Sequence, residues 1–90
     1  MDYTFQETYG TSQSDTTAVT PASGKKVYIW NAILEGVGTI DFLTSGKNII
    51  SVVVGGSELK HNANVEGAAD EVVSITCDAG TKLTLLYDEL

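Results

Sequence analysis

No arginine occurs in this 90-residue chain, which also has one cysteine, one proline, one histidine and only five lysines. Each scarcity closes off a class of function. Nucleic-acid surfaces need clustered Lys and Arg to displace counterions from phosphate, and Arg above all for bidentate contacts. With five cations against twelve acids and a net charge of −7, no nucleic-acid partner is expected. Anionic membranes are disfavoured for the same reason. A lone cysteine cannot form a disulfide within the chain, and Cys77 in the alternating run VVSITC reads as a buried, inert thiol. No apolar run approaches the roughly 20 residues that span a bilayer. The N-terminus MDYTFQETYG has neither a basic n-region nor an apolar h-region, so the expectation is synthesis in the cytoplasm without secretion or membrane insertion.

Groups that do chemistry are equally scarce. His61 lies in the polar stretch LKHNAN and reads as an exposed loop residue; zinc bound by one chain would need carboxylates for most of its shell. Three copies of His61 around the axis of a symmetric oligomer are the other route to a metal. The adjacent carboxylates Asp70-Glu71 and Asp88-Glu89 would point to opposite faces of a strand, which is unsuited to an acid and a base flanking one bond, so both pairs read as solvated surface charge. No phosphate-binding glycine loop, serine elbow or calcium loop is present in the sequence. No enzyme, cofactor or metal site is expected.

What the chain does have is strand-forming sequence. The stretch KKVYIWNAILE, Lys25 to Glu35, lies between Gly24 and Gly36 and reads as the central strand of an all-β domain. Simple alternation places Val27, Ile29, Asn31 and Ile33 on one face and Tyr28, Trp30, Ala32 and Leu34 on the other. Both faces are then apolar, so the second is expected to meet another layer or another chain. After Gly36, Thr39 to Leu43 reads as a half-buried strand with Ile40 and Phe42 on one face, forming a hairpin with the first. Asn48 to Val54, NIISVVV, reads as a strand buried on both faces and ended by Gly55-Gly56. Ser57 to Asp70 has no sustained period and admits a short strand near Leu59 to Val65 or a helical turn at Gly67 to Asp70. Glu71 to Cys77 and Thr81 to Asp88, joined by Asp78-Ala79-Gly80, read as a closing hairpin whose Val73, Ile75, Cys77, Leu83, Leu85 and Tyr87 face one core.

Residues 1–23, rich in Thr and Ser and free of Lys, read as an extended N-terminal arm ahead of a domain at 24–90. Within it Asp15 to Pro21 can form a short strand, with Pro21 closing it or confining it to an edge. Tyr3, Phe5 and Tyr9 follow period two, interrupted by Glu7, so the segment is either a disordered leader or an arm whose aromatic side docks on a neighbour or on the domain's own edge. Six to eight short strands at fairly even intervals indicate a small antiparallel β-sandwich or jelly roll with an extended N-terminal arm. A 90-residue domain buries little more than about 60% of its unfolded surface, so its core is thin and an oligomer would help to complete it.

ASGKKVYIWNAIL, GTIDFLTSG and ADEVVSITCDAGTKLTLLYDEL, spanning roughly residues 20 to 90, resemble the layout of small structural proteins encoded among the virion genes of tailed bacteriophages. The shared pattern is a Gly-Lys-Lys opening strand, a Gly-Thr…Phe…Ser-Gly strand, and a closing pair ending in Leu-Thr…Tyr with an acid. The N-terminal Tyr3, Phe5 and Tyr9 lie outside it. The resemblance implies a capsid decoration or head-fibre protein: a β-sandwich, non-enzymatic, homo-oligomeric with a trimer favoured, located on the capsid surface of the virion and bound to the major capsid protein. Tyr3, Phe5, Tyr9, Tyr28 and Trp30 are the expected interface residues. A second reading uses Trp30, Tyr28 and Tyr87 as an aromatic platform for a glycan or receptor in a phage tail or fibre, against core or interface packing of the same rings. A third, a cytosolic inhibitor whose acids imitate nucleic acid, is disfavoured because the acids are spread along the chain.

Overall fold

The computed structural model describes residues 3–60 and 63–90. The described chain is all-β and antiparallel, as the sequence predicts, with strands β1 (Tyr3–Tyr9), β2 (Gln13–Val19), β3 (Val27–Phe42), β4 (Asn48–Lys60), β5 (Val65–Glu66), β6 (Val73–Cys77) and β7 (Thr81–Glu89). They join in one sheet of order β1-β7-β3-β6-β2, with β4 and β5 also paired to β3. The sheet curls around a single hydrophobic core, which is compatible with a small β-sandwich.

The register shows how the curl is made. β7 pairs with the first half of β3, from Val27↔Glu89 to Glu35↔Lys82, and β6 with the second half, from Gly38↔Cys77 to Phe42↔Val73. These two strands therefore lie end to end along β3, and Asp78-Ala79-Gly80 is a jog between them rather than the tip of the expected hairpin. β1 and β2 repeat the arrangement one step further out, running from Tyr3↔Tyr87 to Tyr9↔Thr81 and from Gln13↔Cys77 to Val19↔Val73. On the other edge of β3, β4 pairs from Ala32↔Lys60 to Asp41↔Asn48. Every pass across the sheet bends at the same level, near Gly10, Gly36 to Gly38, Gly56 and Gly80.

Gly36 and Gly38 thus lie inside one continuous strand, and the expected hairpin between Lys25–Glu35 and Thr39–Leu43 does not form. The glycines serve close approach instead. An added Cβ would lie 2.5 Å from Thr81 Oγ1 at position 36, where φ is +136°, and 2.6 Å from the Thr76 carbonyl oxygen at position 38. Thr81, itself buried, stitches the bend by donating its hydroxyl to the Val37 carbonyl at 3.3 Å. The Asp78 amide donates to the same carbonyl at 2.9 Å.

A second irregularity corrects the face assignment of the central strand. Ile29 pairs with Tyr87 and Asn31 with Leu86, so Trp30 is an extra residue, a β-bulge that reverses the alternation. Val27 and Ile29 before it and Ala32 and Leu34 after it are all fully buried on one face. They pack with Ile40 and Phe42 of the same strand, Ile49 and Ile50 of β4, Val73, Ile75 and Cys77 of β6, Leu83 and Leu85 of β7, and Val19 of β2. The shared core of the last two strands, predicted from their period, is present, with Tyr87 partly buried against it.

Of the readings of the N-terminal segment, docking on the domain's own edge is the one observed: residues 3–19 form the two outer strands of the same sheet. β4 does not end at Gly55-Gly56 but continues to Lys60, and its middle is not buried: Val53 and Val54 are 84% and 78% exposed. His61 falls outside the described residues. Between Val65 and Asp70 the chain forms β5 and then a turn, with no helical turn at Gly67 to Asp70.

Glu71, expected as solvated surface charge, is 4% exposed. Its carboxylate accepts the Ala68 amide at 2.9 Å and, on its other oxygen, the Ser45 amide, tying the turn after β3 to the turn before β6. Burial pushes this carboxyl up, but the N–H donors of Ala68 and Ser45 outweigh it and hold the group below its ordinary value of 4.5. A depressed folded-state pKa contributes stability that is present above 4.5 and is lost as pH falls through the lower folded value. Glu71→Ala is expected to cost about 1–3 kcal/mol at neutral pH by orphaning these amides. Urea titrations between pH 7 and pH 3 check this: the gap between variant and wild type should close towards acid, and a gap that widens would contradict the clamp.

Candidate docking face

Residues directly opposite in an antiparallel pair share a face. Tyr28 lies opposite Asp88, Asn31 opposite Leu86 and Ile33 opposite Thr84, so these side chains occupy the outer face, away from the core. Trp30 joins them through its indole N–H, which donates to Asp88 Oδ2 at 2.8 Å. The Tyr28 hydroxyl donates to Asn64 Oδ1 at 2.9 Å, and the Tyr28 and Trp30 rings lie 4.7 Å apart, tilted by 57°. Each polar end is held by a partner, and the apolar bodies of Tyr28, Trp30, Ile33 and Leu86 form a partly exposed patch.

The outer face beyond the bend is different in kind. There Asp41 accepts the Ser74 hydroxyl at 2.6 Å, Ser51 donates to Thr39 at 3.3 Å, and Asn48 donates to Ser51 at 2.8 Å. Short polar side chains satisfy one another across the strands, so one half of the outer surface is polar and the other is aromatic and aliphatic.

The five expected interface residues separate into two groups. Tyr28 and Trp30 are together on the outer patch and outside the core cluster. Tyr3, Phe5 and Tyr9 instead lie opposite Tyr87, Leu85 and Thr81, on the core side of the sheet at its β1 edge. Phe5 and Tyr9 are partly buried against the core, and the more exposed Tyr3 stacks on Tyr87 at 5.2 Å and 19°. Burial holds the Tyr9 and Tyr87 hydroxyls above their ordinary value of 10.0. Ile33 and Leu86 are not among the expected interface residues, because only the bulge at Trp30 decides which way Ile33 points. Nor are Val53 and Val54, whose β-branched run reads as core.

Among the described residues no three His, Cys, Asp or Glu side chains are grouped to hold a metal ion. Cys77 is free and buried. An open depression of about 420 Å³ lies at the bend, bordered by Gln13, Val37, Gly38, Val52, Thr76 and Cys77. Comparison with known protein families, with curated proteins and with solved structures finds no match to this chain.

Proposed function

We propose that the chain is a structural component of a phage virion, a capsid decoration protein that self-associates, with a trimer as the assembly, and buries its outer aromatic face when it docks on the major capsid protein. The observation that carries the reading is the contrast between the two halves of the outer surface. One half satisfies itself with short polar side chains, whereas the other leaves Tyr28, Trp30, Ile33 and Leu86 partly exposed. Aromatic anchors with tethered polar ends, surrounded by aliphatic side chains, are what protein interfaces bury at their centres. The assignment to a virion rests on the layout of residues 20–90. With residues 3–19 held in the sheet, this face and not an N-terminal arm provides the contact.

Quantitative mass spectrometry of purified particles, made with wild-type protein and with Ile33→Asp, gives the test. Ile33 projects outward, so the variant should keep the wild-type circular dichroism spectrum while its copy number per particle falls at least tenfold. Absence of the wild-type chain from particles would overturn the reading, as would full incorporation of Ile33→Asp.

The alternative of a glycan- or receptor-binding module of a tail or fibre has weaker support. A sugar stacks on a flat ring or on coplanar rings, and Tyr28 and Trp30 are tilted by 57°. Under the docking reading, Trp30→Ala folds normally and changes nothing on a glycan array, because wild type gives no signal there.

A further inference from the structure

The most exposed large apolar side chains among the described residues are those of Val53 and Val54, at 84% and 78%. They sit where β4 leaves register with β3: Gly36 pairs with Gly56 and Gly38 with Val52, so three residues of β4 span the space of Val37 alone. The surplus chain is an outward bulge capped by two branched apolar side chains. Isolated apolar residues on a surface need no explanation, but a paired projection from an edge strand is a liability unless something covers it.

The neighbouring depression supplies the complement. Its 420 Å³ is bordered by Val37, Val52, Thr76 and Cys77, and Gly38 places no side chain in it. An apolar cavity of about 150 Å³ accepts a benzene molecule, so this space takes two valine side chains. Projection and depression lie side by side at the same bend, with Val53 contributing to both. Charge selects the occupant further. In a chain of net charge −7, two copies repel almost everywhere, yet residues 48–57, NIISVVVGGS, form its longest run without an ionisable side chain. Among the described residues that border the depression, Asp78 is the one that carries a charge.

We propose that a second copy of this chain occupies the depression, with Val53 and Val54 of each copy seated beside Gly38 and Cys77 of another. Each copy carries one projection and one depression, so the contact closes either as a mutual exchange between two copies or as a ring of more. The surface is distinct from the Tyr28–Trp30 face and does not depend on a virion location. Association strengthens as salt screens the mutual repulsion.

Sedimentation equilibrium on the purified chain tests the proposal. Wild type is expected at twice its 9.5 kDa mass or more at about 100 µM, rising in share between 50 mM and 500 mM NaCl. Val53→Asp/Val54→Asp, altered at exposed positions, should sediment as a folded monomer. Ser12→Arg, which fills the depression from its exposed rim, should do the same from the other side. Cys77 adds a second reading, since its reaction with a thiol reagent should be at least tenfold faster in Val53→Asp/Val54→Asp, where the depression stands open. A wild-type mass of 9.5 kDa throughout, or a valine variant that keeps the wild-type mass and thiol rate, overturns the contact. Ile33→Asp at wild-type mass but lost from particles would leave this contact intact and confirm that the two surfaces act separately; loss of mass in Ile33→Asp with no loss in the valine variant would refute it.

Discussion

Gly38→Val is expected to abolish folding, or to lower the melting temperature by about 12 °C or more, while Gly10→Ala leaves it within a few degrees of wild type. At position 38 an added Cβ would stand 2.6 Å from the Thr76 carbonyl oxygen and 2.7 Å from the Cys77 Cβ. Neither neighbour can retreat. Thr76 is held by its pairing with Thr39 and by the Asp15 amide, which donates to its hydroxyl at 2.9 Å, and Cys77 is packed into the core. The clash therefore falls on backbone at the level where every strand bends, and an overpacked position of this kind costs about 3 kcal/mol or more. Gly10 bends at the same level but has no atom within 4 Å of where a Cβ would stand, so a methyl group is accommodated there. Thermal unfolding followed by circular dichroism decides the matter. A Gly38→Val protein that melts beside the wild type would mean that the bend does not require close approach at that point.

The same bend explains which parts of the fold are legible in the sequence. Period-two spacing correctly places Ile40 and Phe42 together and Val73, Ile75, Cys77, Leu83 and Leu85 together, because within a straight segment alternation alone decides the face. Glycine is ambiguous. Gly36, Gly38 and Asp78-Ala79-Gly80 carry the local chemistry of a chain reversal, and only the neighbouring strands at Thr76 and Thr81 show that they permit a crossing without one. Short-range signals consequently turn two long passes into two hairpins.

Other features depend on partners remote in sequence. The bulge at Trp30 has no signature in Trp-Asn itself; it exists because β7 offers Tyr87 and Leu86 in succession against Ile29, Trp30 and Asn31. Tyr28 and Trp30 are therefore identifiable from sequence as candidate docking residues, but Ile33 is not. Val52 to Val54 advertises strand propensity, which says how the backbone extends and nothing about what covers it. Glu71 reads as surface charge until the turn around Ser45, 26 residues away, supplies an amide to its carboxylate.

Phe42→Ala is expected to cost about 3–5 kcal/mol, a large share of the total for a domain of this size. Phe42 is fully buried at the end of β3, and its ring lies against Gly67, where an added Cβ would be 2.6 Å from both Cδ1 and Cε1. Gly67 is fixed in place by its amide, which donates to the Val27 carbonyl at 3.0 Å. Ring and glycine are thus two parts of one contact: the absence of a side chain at 67 makes the space that the phenyl group fills. Gly67→Ala alone should cost about 1–3 kcal/mol through overpacking. In the Phe42→Ala background the same substitution should cost nearly nothing, because the methyl group enters the space the ring has left. Urea unfolding of the wild type, the two single variants and the double variant measures this coupling, expected at about 1 kcal/mol or more. Costs that simply add would show that the Phe42 ring does not rest on Gly67, and with that the closing of the core by the segment between β5 and β6 would fail.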